Sequence, residues 1–269
     1  MQAERILDAS DPRVADYRHL REPRALERLG LFVVESRQCV QRGLAAGRFR
    51  LRSLLLGDAA FAALAETVST VRSPPRVFVA ALPLLKTIAG FDFHRGCVGL
   101  GERRADDDVD ALLPADPRAA TLLVALDRVS NPDNVGGIFR NAVAFGAAGV
   151  LLSPGSGDPL YRKAVRVSLG TTVTLPFAYA NAWPDDLARL RRTGFRTIAL
   201  TPEGDDVRQL DLGGATRLVL VVGSEGSGLA PGVRAACDAT LSIPMASGID
   251  SLNAGTAAGI ALFHLAAAR

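Results

Sequence analysis

The sequence predicts an α/β protein: a small amino-terminal α/β module and a larger carboxy-terminal domain on a mainly parallel sheet. Three observations predict it. After residue 120, short apolar runs alternate with stretches of helical periodicity, the pattern of strands joined by crossover helices. Three of those runs are followed by polar, glycine-bearing segments, as where a ligand site forms beyond strand ends. An acidic, proline-bearing stretch, Ala105-Asp-Asp-Asp-Val-Asp110 and Leu113-Pro-Ala-Asp-Pro-Arg118, breaks the composition between the two parts and reads as a linker. The division is therefore 1–104, a linker at 105–118, and 119–269.

In the first part, residues 13–29 form a charged helical stretch interrupted by Pro23. Residues 31–34, 51–56 and 77–80 are strand-like, 39–46 and 82–89 helix-like, and 97–100 a closing strand. In the second part, strands are expected at 121–126, 149–152, 172–176, 197–200, 217–222 and 239–243. Helices are expected at 136–145, 161–168, 185–192, 233–237 and 253–268. Ala258, Leu262 and Leu265 give the last helix an apolar stripe at i, i+4 and i+7.

Composition narrows the class. Of 269 residues, 48% are hydrophobic, enough for a sizeable core. No apolar run reaches the ~18 residues needed to span a bilayer, and Met1-Gln-Ala-Glu-Arg-Ile6 has no apolar core of a secretory signal. A cytoplasmic location is the default expectation. Cys39, Cys97 and Cys237 are odd in number and widely spaced, against a disulfide framework. His19, His94 and His264 are dispersed, so no metal site is expected. Net charge is +3, but residues 1–55 carry eleven Arg against seven Asp or Glu. Lys86 and Lys163 are the only lysines. Arginine suits phosphate and stacked bases, although a GC-rich genome produces the same bias.

Each motif has a chemical and a plain structural reading. In Asn131-Pro-Asp-Asn-Val-Gly-Gly-Ile-Phe-Arg140, the polar residues suit a helix start and the glycines permit close backbone approach. Arg140 lies six positions beyond Asn134; at ~100° per residue the two do not share a helix face. They serve one site only if Asn134 precedes the helix proper or Arg140 serves a neighbouring subunit. The plain alternative is a capped helix with a surface arginine. Gly223-Ser-Glu-Gly-Ser-Gly-Leu229 lacks the lysine of a phosphate loop, and Glu225 would repel phosphate. It suits a neutral or cationic ligand or a ribose hydroxyl; otherwise it is a strand-to-helix turn. Ile243-Pro-Met-Ala-Ser-Gly-Ile-Asp-Ser-Leu-Asn253 puts apolar Ile243, Met245 and Leu252 where they could wall an adenine. Ser251 there reads most simply as a helix cap. No nucleophile elbow and no dinucleotide fingerprint appear.

Together and in this order, the three motifs resemble the signatures of the SpoU, or TrmH, branch of the SPOUT RNA methyltransferases, covering most of 121–269. The first part is similar to the ribosomal-protein L30e-like substrate-binding module of several rRNA members. Val33-Val-Glu35, residues 51–56 and His94-Arg-Gly-Cys-Val-Gly99 carry that weaker likeness. The resemblance implies S-adenosylmethionine-dependent methylation of a ribose 2′-hydroxyl in rRNA or tRNA. It also implies a deep trefoil knot and a homodimer formed through the SPOUT domain. Asn134, Arg140, Glu225, Ser251 and Asn253 match catalytic or site-organising positions. Gly223, Ile243 and Leu252 match cofactor-holding positions, with Leu200, Thr201 and Met245 as neighbours. Gly255 stands where many relatives have Ser, and Ser36 where the module often has Gly. Arg5, Arg37, Arg42, Arg48 and Arg50, with Arg162, Lys163 and Arg166, are the candidate RNA contacts; the alternative for each is a solvated face. A non-catalytic cofactor- and RNA-binding assembly factor is the competing function, and a resistance role on rRNA is a variant of the first.

Overall fold

Apolar runs sort into two sheets, one in each of two units: Met1–Ala105 with Pro159–Thr174, and Asp106–Asp158 with Leu175–Arg269. The structure, a computed structural model, describes residues 3–91, 96–105, 107–248 and 251–267. His94 and Arg95 of the amino-terminal likeness, Asp106, Ile249 and Asp250 of the third motif, and Ala268 at the expected end of the last helix lie outside the described residues.

The amino-terminal unit contains β1 (Ala3–Arg5), α1 (Pro23–Arg28), β2 (Leu31–Glu35), α2 (Arg37–Ala46), β3 (Leu51–Leu56), α3 (Asp58–Ser69), β4 (Arg76–Val79), α4 (Leu82–Ala89) and β5 (Cys97–Glu102). Its sheet runs β1-β4-β3-β5-β2; β5 is antiparallel to both neighbours and the other pairs are parallel. Leu55, Phe78, Leu85, Val98 and Leu100 fill one core beneath it. Tyr17, fully buried, satisfies its hydroxyl on Ser53 Oγ at 2.7 Å. The expected helical stretch at 13–29 becomes a 3-10 segment, Pro12–His19, and then α1 after Pro23. α3, to which the sequence reading assigns nothing, buries Ala60, Leu64 and Val68, an i, i+4, i+8 stripe.

The carboxy-terminal unit begins inside the stretch read as a linker, where Val109 and Leu112 are buried in its core. It contains β6 (Thr121–Asp127), α5 (Pro132–Ala144) and β7 (Gly149–Leu152). The chain then contributes α6 (Arg162–Val167) to the amino-terminal unit. It returns as β8 (Phe177–Tyr179), α7 (Asp185–Arg192), β9 (Arg196–Asp206), β10 (Arg217–Gly223), α8 (Pro231–Ala235), β11 (Ala239–Ser242) and α9 (Ala254–Ala267). The sheet order is β11-β9-β10-β6-β7-β8, all parallel. Every residue of β6 is buried, so both faces are covered. α7, α8 and the 109–112 turn cover one face, and α5 packs along α9, which lies against β10.

Two further findings depart from the sequence reading. The strand expected at 172–176 is a 3-10 turn, Thr171–Val173, and the strand begins later, at Phe177. Hydroxyls hold the turn: Thr171 Oγ1 donates to Ser168 O at 3.1 Å and Thr174 Oγ1 to Thr171 O at 3.1 Å. Such side-chain bonds compete with a strand ladder. Residues 159–174, read as carboxy-terminal, complete the amino-terminal unit instead. Arg162 pairs with Glu35 at 2.9 Å and stacks on Phe91 at 3.9 Å. Arg42 donates to Leu169 O at 2.8 Å. Gly170, with φ of +84°, lies so close to Cys39 that a Cβ would be 3.0 Å from its Cα.

Ser36 shows why a glycine suits the start of α2. Its φ is 87° and ψ 150° while its hydroxyl accepts from Cys39 N, and only glycine adopts that region freely. Ser36→Gly is expected to stabilise the chain by about 1 kcal/mol. Strain relief of ~1–3 kcal/mol outweighs roughly a few tenths for the cap and ~0.4–1 kcal/mol of unfolded-state freedom. Urea denaturation checks this; a lowered midpoint would refute it.

Candidate cofactor pocket

The parallel sheet has one place where the chain changes direction across it. β6 forms first; β7 and β8 add on one side, β10, β9 and β11 on the other. The carboxyl ends of β6 and β10 therefore flank a switch point, where ligands bind in open α/β sheets. Asp127 and Gly223 are register partners there. A cavity of about 350 Å³ opens beside β10.

Three segments build it. Ala199 pairs with Thr240, but Asp205 pairs with the next residue, Leu241. Residues 200–204 thus bulge from β9, and Leu200, Thr201 and Pro202 line the cavity. Gly204 allows the rejoining, because a Cβ there would sit 2.9 Å from Leu241 N. The second segment is the loop after β10, supplying Gly223, Ser224, Glu225, Gly226 and Gly228. It folds back on itself through a Ser224–Gly228 bridge and a 2.7 Å contact between the Ser224 and Ser227 hydroxyls. A Cβ on Gly223 would lie 2.3 Å from Gly228 C and 2.4 Å from Leu229 N. The third segment contributes Ile243, Met245, Ser251 and Leu252, with Ala254 and Ala257 of α9.

Asn253 joins the motifs. Its side-chain amide donates to Asn134 Oδ1 at 2.8 Å and to Glu225 Oε1 at 2.7 Å, using both hydrogens of the amide. Its Oδ1 accepts from Thr256 N at 3.1 Å, so Asn253 caps α9. Ser251, the expected cap, is exposed on the cavity wall instead.

The structure thus places Leu200, Thr201, Gly223, Ile243, Met245, Leu252, Glu225 and Ser251 on one cavity, and links Asn134 and Asn253 to Glu225. Arg140 is apart. Asn134 lies within α5 and is buried, while Arg140 is exposed on that helix. The route requiring Asn134 to precede the helix is closed. Sequence reasoning missed Asp127, which accepts from Ala230 N at 2.9 Å and Trp183 Nε1 at 3.0 Å. It also missed Asn141, which donates to Gly255 O at 2.7 Å. Asp127 ends an apolar strand as Gly223 does, but nothing in the sequence distinguishes it from a solvated residue at that place. Burial pushes the Cys97 and Cys237 thiols up to about 12 and raises that of Cys39, which leaves none of them a ready nucleophile.

In the amino-terminal unit, several candidate RNA contacts are engaged within the protein. Beyond Arg42 and Arg162, Arg50 pairs with Glu102 at 3.3 Å, Arg5 with Asp58 at 2.5 Å, and Arg48 lies over Phe49 at 5.0 Å. The Arg37 and Arg166 side chains have no hydrogen-bond or ion-pair partner among the described residues.

Comparison with known proteins bears on the family and the fold. The model of the SpoU rRNA Methylase family matches residues 121–263. The chain is 34% identical over 266 residues to an uncharacterized tRNA/rRNA methyltransferase of Mycobacterium bovis, spanning 96% of this chain and 90% of the relative. It superposes on an AdoMet-bound rRNA methyltransferase from Sinorhizobium meliloti with a TM-score of 0.82, 29% identity and 98% of both chains covered. The SpoU methyltransferase AviRb from Streptomyces viridochromogenes, in complex with AdoMet, gives 0.80, 29%, and 96% and 98% coverage. With a domain-wide family match and near-full-length likeness pointing the same way, this chain belongs to the SpoU rRNA methylase family.

Proposed function

We propose that this chain transfers a methyl group from S-adenosylmethionine to a ribose 2′-hydroxyl of rRNA or tRNA. The observation that carries the reading is the switch-point cavity with Asn253 bridging Asn134 and Glu225 at its edge. The lining fits the cofactor. Leu200, Ile243, Met245 and Leu252 offer apolar walls for an adenine, and about 350 Å³ is within the ~300–1,000 Å³ of small-molecule sites. Glu225 suits a sulfonium cation and disfavours free phosphate.

The cofactor supplies the electrophilic methyl; the protein positions and polarises. Glu225 and Asn134, held by Asn253, order the loop beside the reacting centre. Ser251 is the hydroxyl that contacts the substrate ribose. A guanidinium keeps its proton to beyond pH ~12, so Arg140 acts by orienting the 2′-hydroxyl and the adjacent phosphate. The proton of the 2′-hydroxyl leaves to water, because a guanidinium beside a phosphate anion stays protonated.

Because Arg140 is exposed and absent from its own chain's cavity, it serves the site of a second copy. The outer face of α5 and α9 supports this. Val143 and Phe263 are 40% and 57% exposed, and Phe145 packs edge-on against Phe263 at 5.9 Å. The knot belongs to the same proposal, supported by β11 returning outside β9, with Ile243, Met245, Ser251 and Leu252 beyond it lining the cavity beside β10. The same reading places the enzyme in the cytoplasm. No helix among the described residues is long and apolar enough to cross a membrane.

Labelled methyl transfer from S-adenosylmethionine to total rRNA and tRNA of a deletion strain, followed by nucleoside analysis, tests the reaction. A 2′-O-methyl nucleoside from one RNA class is expected. Cofactor and RNA binding without transfer would favour the assembly-factor reading.

Arg140→Ala is expected to lower kcat by about 100-fold or more, the scale of a lost transition-state charge contact, with cofactor affinity unchanged. Mixing it with Asn253→Ala should restore part of the activity in heterodimers, since one site then holds both native residues. Near-normal turnover of Arg140→Ala would remove the assignment, and failure of mixing would remove the shared site.

RNA affinity should fall steeply with salt. Each of Arg37→Ala and Arg166→Ala should reduce the log–log salt slope by about 1. Unchanged slopes would take the amino-terminal patch out of the RNA interface.

A further inference from the structure

We propose that Asp127 is a positioning residue for this pocket: its buried carboxylate clamps the far end of the 223–229 loop and thereby sets Glu225 against Asn253. The inference rests on the cofactor reading given above for what the loop binds, but not for what holds the loop.

Asp127 is 1% exposed at the end of the central strand β6. Its main chain is the register partner of Gly223, where the loop begins. Its Oδ2 accepts from Ala230 N at 2.9 Å, where the loop ends. One residue therefore marks both ends. Its Oδ1 accepts from Nε1 of Trp183, the chain's one tryptophan, at 3.0 Å, and Arg128 Nε lies 3.6 Å away. Trp183, Leu229 and Ala230 all pack against the same core, so the carboxylate joins the loop end to Trp183 above that core through its two oxygens.

Within the loop, Gly228 N donates to Ser224 O at 3.0 Å, and a Cβ on Gly223, the last residue of β10, would run into Gly228 and Leu229. These features close the loop against the end of its own strand but do not tie it to the neighbouring strand β6. The Ala230–Asp127 bond ties the chain to β6 immediately after this closure. With that end fixed, the tip carries Glu225 to within 2.7 Å of Asn253 Nδ2. Asn134, the other acceptor of Asn253, sits on α5, seven residues after Asp127. Both arms of the Asn134–Asn253–Glu225 chain thus start from the end of β6.

A carboxylate is required for a geometric reason. Two N–H donors converge on it, from Ala230 and from Trp183, and a carboxylate offers two acceptor oxygens. An amide offers one oxygen, so in Asp127→Asn one donor must face an NH2 group. Removing the Trp183 donor would relieve the conflict.

The experiment compares the full chain with D127N, W183F and D127N/W183F, reading hydrogen exchange without ligand and S-adenosylmethionine affinity by calorimetry. D127N should speed exchange of the 224–229 amides roughly tenfold or more, the scale of one hydrogen bond to a charged group. Strands β6 and β10 should keep their protection. Affinity should weaken by a similar factor. In the double variant the amide oxygen is free for Ala230, so loop exchange should return to within about threefold of W183F alone. Unchanged loop exchange in D127N, equal acceleration of strands and loop, or a double variant no better than D127N would each overturn the clamp. A native chain that does not bind S-adenosylmethionine would sink the proposed function and leave the clamp standing, because exchange reads the loop without ligand.

Discussion

The close approach of Gly223 to Gly228 and Leu229 governs the rest of the site. With a Cβ at 2.3 Å from Gly228 C, no side chain fits at the end of β10, so the chain turns back on itself immediately beyond the sheet. That turn brings an acidic residue to a strand end that would otherwise expose only backbone. Gly226 and Gly228, with φ of 84° and 63°, permit the tight return without the left-handed cost that other residues incur. The carboxylate of Glu225 is therefore placed by backbone geometry before any ligand contributes.

Asn253 turns that placement into a connected site. An asparagine offers two donor hydrogens and an acceptor, and the structure uses both kinds: the amide nitrogen serves Asn134 and Glu225, the oxygen caps α9. Aspartate would cap the helix as well, but would place a carboxylate against the carboxylate of Glu225 with no donor between them. Serine would cap without reaching both partners. Helix capping and site assembly thus fall to one residue, which explains why the cap lies at Asn253 rather than at Ser251. Asn141 locks the next turn through Gly255 O, and Gly259 leaves room for it.

The strands at β3, β6, β7 and β10 were legible because buried parallel strands read as apolar runs, and a ligand site beyond strand ends followed from the glycine and polar residues after them. Helix arithmetic alone separated Arg140 from Asn134. Three things were hidden. The 172–176 stretch reads as a strand because threonines favour strands, yet the same hydroxyls here close a turn. Membership of 159–174 in the amino-terminal unit depends on tertiary pairs, Arg162 with Glu35 and Gly170 with Cys39, that no local pattern shows. Asp127 looks in sequence like a solvated residue at a strand end, and only burial between Trp183 and Ala230 reveals it. Ser36 is the converse: its departure from glycine is visible in sequence, and its φ of 87° gives the physical reason the position favours glycine.

Charge placement follows from the same geometry. The proposed substrate is a polyanion, yet the cavity carries a carboxylate. Repulsion between them is limited if the carboxylate is engaged and the polyanion is held elsewhere. Glu225 is engaged by Asn253, and the cofactor reading adds a sulfonium cation at the same place. Arg37 and Arg166 in the amino-terminal unit and Arg140, exposed on α5, have no side-chain ion pair among the described residues, and none of the three lines the cavity. Phosphates would then be met by exposed guanidinium groups, which suit them bidentately, while the methyl donor is met by apolar walls and one acid. In the proposed reading the sulfonium cation thus falls to Glu225 and the phosphates to arginines that do not line this cavity.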